Sequence, residues 1–219
     1  ALSLFALLHF REVRVEVLEF NSLAPGYVVA QVDFDFLDEE ATIILKQEAI
    51  RDIGKIYKIS DRDIRQRRTE FETFLITDQN WRKQATDSTF EEMYRGVDEL
   101  EKVLMQVRLT DPRTLQKMHE LQMPASYYMV YTPADIEDAV IFPTQIWNSI
   151  ELLAFPEDSF KGGTAATIIG YFQGRGWILE EDLNADRLLR KRIQSKVVDK
   201  YTHVSAGSRI IDQGERVTA

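Results

Sequence analysis

Residues 27–49 read YVVAQVDFDFLDEEATIILKQEA, and a change of period inside this stretch decides the fold class. From Tyr27 to Phe36 the apolar residues alternate. Val28, Ala30, Val32, Phe34 and Phe36 share one face, while Gln31, Asp33 and Asp35 share the other. A repeat of two belongs to a strand with one buried face. At Asp38 the period lengthens. Asp38-Glu39-Glu40 put carboxylates where a helix exposes unpaired N–H groups and the positive end of its dipole. Ala41, Ile44, Leu45, Ala49 and Ile53 then form an apolar stripe.

The elements on either side extend this pattern. Upstream, Val13 to Phe20 alternates as a strand, and Pro25-Gly26 marks a turn. Downstream, Ile56, Tyr57 and Ile59 suggest a short strand, and Ser60 or Asp61 should cap a helix through Ile64, Phe71, Phe74 and Leu75. Thr89 to Arg108 carries a second helical stripe, and Asp111-Pro112 opens a short helix with Pro at its first position. Ala125 to Tyr131 fits strand or helix equally. Ala134 to Ala154 suggests one or two helices interrupted at Pro143, and Gly162-Gly163-Thr164 opens an apolar segment. Asp182 to Lys196 is amphipathic and basic, and Val197 to Val204 reads as strand. Gly207 and Gly214 bracket Ile210-Ile211 as a hairpin or a pair of short strands. The expectation is an α+β fold: a mixed sheet formed by strands from both termini, with a mostly helical insertion over about residues 61–180.

One internal echo stands out. Displaced by 144 residues, Asp38 falls on Asp182, Ala41 on Ala185, Leu45 on Leu189, Lys46 on Arg190 and Tyr57 on Tyr201. Each copy is a helix followed by a strand containing Tyr. Two copies are too few for a solenoid and suit a pseudo-symmetric pair on one sheet.

Composition narrows the functional classes. The 219 residues include 27 Lys and Arg against 36 Asp and Glu, a net charge of −9, which opposes nonspecific nucleic-acid binding. Without Cys there is no disulfide, thiolate nucleophile or Cys-ligated zinc. Ala1 to Phe10, ALSLFALLHF, is too short to span a bilayer alone. It reads as the end of a membrane helix, a core helix or the tail of a signal segment. The expected organisation is therefore residues 1–12 as the end of a membrane helix or its linker, and residues 13–219 as a single domain.

No motif announces catalysis. His9, His119 and His203 are scattered, and neither a phosphate loop nor a nucleophile elbow is present. Asp33, Asp35, Asp38, Glu39 and Glu40 form the densest acidic group, which strand and cap positions explain better than a hard cation does. The residues point to no metal and no cofactor. Arg187, Arg190, Lys191, Arg192 and Lys196 form the one basic face of note, suited to an anionic ligand or lipid headgroups. Tyr127, Tyr128, Tyr131, Phe142 and Trp147 are candidates for a pocket wall or for core. The ligand-binding candidates are Arg187, Arg190, Lys191, Tyr128 and Trp147; no residue is a catalytic candidate.

A resemblance adds what the residues alone do not say. Ala30-Gln31-Val32-Asp33-Phe34, Phe36, Asp38-Glu39-Glu40-Ala41-Thr42, Gln47-Glu48-Ala49 and Ile56-Tyr57 resemble the opening of the extracytoplasmic domain of bacterial seven-transmembrane HD-hydrolase proteins. Val204 to Thr218, with Gly207, Ile210-Ile211 and Gly214-Glu215, is similar to that family's closing element. The chain departs from the pattern at Tyr27, where the family usually has an acid, and at Ala206, where Lys is common. Leu183-Asn184-Ala185-Asp186 matches only loosely.

The resemblance implies a sensor or regulatory domain outside the bacterial inner membrane. A membrane bundle and a cytoplasmic HD domain that hydrolyses cyclic di-AMP would follow in the same chain. The fragment itself would carry no catalysis and take an unidentified extracytoplasmic ligand or protein. Its family-motif residues are Asp38, Glu39, Glu40, Ala41, Thr42, Tyr57, Gly207, Gly214 and Glu215. The alternative is a free-standing cell-envelope binding or assembly module, with the aromatic middle as its contact surface. A third class, an enzyme using scattered Asp and Glu, would turn over substrate by itself.

Overall fold

The computed structural model describes residues 19, 21–78, 80–134, 138–157, 159–160 and 162–217. The apolar run Ala1–Phe10, and the strand expected over Val13–Phe20 apart from Glu19, lie outside them. The fold class is α+β, with eight helices and eight strands among the described residues. The chain divides into two compact units, one from residues 1–43 and 198–219, the other from residues 44–197.

In the first unit strands from the two ends of the chain pair with each other, as the sequence suggests. β1 (Val28–Val29) runs antiparallel to β8 (Arg209–Ile211), and β2 (Phe34–Leu37) to β7 (Tyr201–Val204). The finer expectation of one mixed sheet is corrected: these are two separate two-stranded ladders. The long alternating run breaks at Gln31-Val32. Ala30 is held there by the turn after β7, its N–H donating to Ser208 O and its carbonyl accepting from Gly207 N. Gly207 has φ +85°, a left-handed conformation that L side chains avoid, so the turn uses glycine. Gly214, at φ +80°, serves the next turn and donates to Ala24 O. The described ends lie side by side, with Asn21 N donating to Val217 O at 2.9 Å.

The second unit is built on a mixed four-stranded sheet ordered β5–β4–β3–β6, from β3 (Tyr57–Ile59), β4 (Arg108–Thr110), β5 (Tyr128–Val130) and β6 (Leu179–Glu181). Only β4 and β5 are parallel neighbours. Cross-strand register puts Tyr57, Ile59, Leu109, Met129 and Leu179 into the larger core, with Phe71, Leu100, Trp147, Phe172 and Trp177. Its helices are α2 (Asp61–Thr77), α4 (Phe90–Gln106), α6 (Thr144–Ala154) and α7 (Gly162–Gln173), with the short α3 (Trp81–Gln84) beside them. Along α4 the residues Met93, Val97, Leu100 and Leu104 are buried at the helical period the sequence shows. The Arg68 guanidinium joins α2 to α4 through Asp98 and Glu101. A smaller core holds Ile53, Ile56, Met118, Leu189 and Ile193. It gathers the end of α1 (Glu39–Arg51), α5 (Pro112–Glu120) and α8 (Leu183–Gln194).

Three local expectations are corrected. The helix read over Thr89–Arg108 stops at Gln106, because Arg108 begins β4. Among the described residues of the segment read as helical over Ala134–Ala154, the helix is Thr144–Ala154, and Val140 instead bridges Trp177. The strand read over Val197–Val204 is limited to Tyr201–Val204.

The 144-residue echo is legible in hydrogen bonds. Asp38 N donates to Lys200 O and Asp182 N to Ile56 O, and Lys200 stands 144 residues after Ile56. Each aspartate caps the helix that follows: Ala41 N donates to Asp38 Oδ1 at 2.9 Å, and Ala185 N to Asp182 Oδ1 at 3.0 Å. Strand registers answer each other too, Leu37 facing Tyr201 and Glu181 facing Tyr57. Thus β2–α1–β3 and β6–α8–β7 are two copies of one β–α–β element, the first strand of each paired with the last strand of the other. They lie in two sheets, where the sequence had suggested one.

Candidate functional site

The motif residues at the chain's ends act structurally. Asp38 caps α1 and accepts from Thr202 Oγ1 at 2.9 Å. The N–H of Ala41 and the Thr202 hydroxyl, with Lys200 nearby, hold its carboxyl below the usual range. Thr42 is buried, and its hydroxyl accepts from Lys200 N. Glu39 and Glu40 occupy the exposed first turn of α1. Glu215 accepts from Asp212 N in the last turn. Tyr57 lies in β3, packed against the larger core. The acidic cluster is used in the same way: Asp33 accepts from Ala206 N, and Asp35 pairs with His203 at 2.8 Å. Among the described residues no group of three or more His, Asp or Glu side chains converges as a metal site would require.

The site lies in the second unit, in an open cleft of about 800 Å³. Register builds its floor. Tyr128 faces Arg108 across β5–β4, Arg108 faces Lys58 across β4–β3, and Lys58 faces Glu180 across β3–β6. Side chains in one such row share a face of the sheet. Gln106, Ser126 and Tyr127 come from the segments entering β4 and β5, and Asp182, Asn184, Arg187 and Leu188 from the start of α8. Roughly 300–1,000 Å³ is the usual size of a small-molecule site.

Arg108 organises the cleft. Its Nε donates to Asp182 Oδ2 at 2.6 Å, and Nη1 donates to Met105 O and Val107 O. Nη2 carries no hydrogen bond among the described residues. Asp182 is thereby occupied on both oxygens, by Arg108 and by Ala185 N. Burial raises its carboxyl, but the Ala185 N–H and the Arg108 charge outweigh that, leaving it below the ordinary range. Burial pushes the Tyr128 phenol up; Arg108 opposes this and Asp182 adds to it. Lys58 is shared between Asp61 at 3.3 Å and Glu180 at 3.7 Å. Arg187 is exposed and has no partner among the described residues.

The five sequence candidates separate. Tyr128 and Arg187 line the cleft together. Arg190 does not: it pairs with Asp186 and donates to Ile50 O and Ile53 O at the end of α1, so its cation is used in helix packing. Lys191 is exposed on α8 outside the cleft lining. Trp147 is corrected outright as a ligand residue. It is fully buried between Phe142 and Trp177, because its face of α6 points into the larger core. Phe142 is buried with it. Sequence reading missed Arg108, Lys58 and Asp182 as site residues. The helical period running through Thr89–Arg108 places Arg108 at a helix end, although Val107 and Thr110 beside it are β-formers.

Asp182 and Asp111 give a pH prediction. The Thr114 hydroxyl and the N–H groups of Thr114 and Arg113 outweigh burial and hold Asp111 low as well. Carboxyls depressed in the folded state stabilise it above their unfolded pKa, and this stabilisation is lost as pH falls through the folded values. Urea midpoints should therefore decline as pH falls below about 4. Asp182→Asn should flatten that decline; an unchanged slope would show that the pair does not couple to folding.

Among the described residues no helix is long and apolar enough to cross a membrane. Set against protein-family models, characterised proteins and solved structures, the chain finds no match in any of the three.

Proposed function

We propose that this chain is the extracytoplasmic sensor domain of a membrane-bound HD-domain phosphodiesterase acting on cyclic di-AMP, with the cleft beside Arg108 and Tyr128 as the ligand site. One observation carries the reading. The two segments that resemble the family's opening and closing elements pair with each other, β1 with β8 and β2 with β7. Asn21 and Val217 consequently adjoin. Such an arrangement suits a domain inserted between two membrane segments. Occupation of the cleft would bias the attached hydrolase only to the extent that the ligand prefers one of two states.

A second reading, a free-standing cell-envelope binding or assembly module, draws on apolar surface in the first unit, where Phe34, Phe36 and Leu37 are exposed. Of the aromatic middle, Phe142 and Trp147 are core, while Tyr127, Tyr128 and Tyr131 keep partial exposure. Translation of the reading frame past Ala219 distinguishes the two. Several apolar runs of about 20 residues, then a domain containing His-Asp, are expected for the sensor. The full-length protein should then hydrolyse cyclic di-AMP while this chain alone does not. A stop codon close after Ala219 would sink the sensor reading and leave the envelope module.

A further inference from the structure

We propose that the cleft takes a phosphate monoester whose body includes a planar ring, of about mononucleotide size. The inference deepens the sensor reading and rests on it for biological meaning.

Hydrogen-bond capacity decides the sign of the ligand. The acidic acceptors that line the cleft are engaged. Asp182 accepts from Arg108 and from Ala185 N, and Glu181 accepts from Lys55. Among the charged side chains what remains open is donor capacity, the whole Arg187 guanidinium and Nη2 of Arg108; the phenols of Tyr127 and Tyr128, the amides of Gln106 and Asn184 and the Ser126 hydroxyl, also unbonded among the described residues, can donate as well as accept. The lining carries three cations, Lys58, Arg108 and Arg187; Lys58 is paired with Asp61 and Glu180 and Arg108 with Asp182, so Arg187 is the cation left without an acidic partner among the described residues. A group rich in acceptors and negatively charged fits this set, and guanidinium forks match phosphate oxygens in geometry. A phosphate has enough oxygens to meet both guanidiniums and a phenol together.

The rest of the cleft specifies the body of the ligand. Tyr127 and Tyr128 supply aromatic surface, and Leu183 and Leu188 remain 55% and 62% exposed on the side formed by α8. Apolar surface beside converging polar groups is the usual composition of a small-molecule site, and a planar ring uses it best.

A lipid headgroup, a phosphodiester without a planar ring, is the rival anion, and the test separates it from the soluble monoester. The 219-residue chain is titrated calorimetrically with uridine monophosphate and with uridine, which differ only in the phosphate. Saturable binding of the monophosphate is expected, with uridine about tenfold weaker or more. Arg187→Glu should weaken the monophosphate about tenfold, and Arg187→Lys by less. Lys191→Ala, one turn along α8 and outside the cleft, should leave it unchanged. Circular dichroism of each variant checks that the fold persists.

Equal affinities for the two probes, or no saturation by about 10 mM, would overturn the proposal. So would equal losses from Arg187 and Lys191 replacement, which mark a diffuse charge effect. Cosedimentation with phosphatidylglycerol vesicles, without binding of the monophosphate, would overturn the proposal and assign α8 to a membrane surface. Binding of the monophosphate by a chain whose reading frame lacks an HD domain would retain the cleft chemistry and remove the regulator. An HD domain without such binding would do the reverse.

Discussion

Trp147→Ala is expected to lower unfolding stability by about 3–5 kcal/mol, the range for truncating a fully buried large aromatic. Trp147 has no exposed surface and lies 6.3 Å from the Phe142 ring and 6.0 Å from the Trp177 ring. Ile146 and Ile150 on the same helix are buried beside it, so the surroundings are held by α6 and cannot close over the void. Trp147→Phe should cost much less. It keeps a ring in place and gives up an indole N–H that has no acceptor among the described residues. Urea unfolding followed by circular dichroism measures both. Equal, small losses would mean that the α6 layer relaxes freely. A loss of ligand binding in Trp147→Phe with stability unchanged would contradict the core assignment.

Gly54→Ala is the second large effect, about 2–3 kcal/mol, from a lost cap added to overpacking. Gly54 N donates to Thr114 Oγ1 at 2.8 Å, and that hydroxyl donates to Asp111 Oδ2 at 2.6 Å. Asp111 Oδ1 meanwhile accepts from Arg113 N and Thr114 N at the start of α5. A Cβ on residue 54 would overlap Asp111 Oδ2 and come within 2.9 Å of its Cγ. The carboxylate would have to leave its cap. The cost should therefore be strongly non-additive with Asp111→Ala. In the Asp111→Ala background, Gly54→Ala should cost at least about 1 kcal/mol less, within the usual range of coupling between contacting residues. Additive losses would show that the clash is relieved elsewhere.

These two positions illustrate what sequence exposes. Asp111-Pro112 is a local signal, and so are Asp38 and Asp182 before their helices. Each cap is settled within about four residues, because the carboxylate bonds N–H groups of the turn that follows it. The stripe of Met93, Val97, Leu100 and Leu104 is likewise local, since helical period alone places those residues on one face. The significance of Gly54 is not local. Its partner stands 57 residues later, and nothing near Gly54 hints at it.

The same division applies to the site. Tyr128 and Trp147 are both aromatics in largely apolar segments of the middle, and composition does not separate them. Arg187 and Arg190 are three residues apart on one helix, yet one opens on the cleft while the other satisfies the carbonyls of Ile50, in the last turn of α1, and Ile53, just beyond it. Strand β4 was invisible because three residues carry too little period to compete with the helix before them. It exists through its pairing with Tyr57-Lys58 and Tyr128–Val130.

The α+β class, the capped helix starts, the pairing of the chain's two ends and the 144-residue echo are all legible in the order of residues alone. Hydrogen-bond geometry and side-chain period act over a few residues, and repeated residues can be counted. That the echo spans two sheets, that Trp147 is core, and that Lys58, Arg108, Tyr128 and Arg187 share a cleft emerges from long-range packing. Those outcomes depend on strand register and helix packing between segments far apart in the chain, where the free energy of burial outweighs local preference.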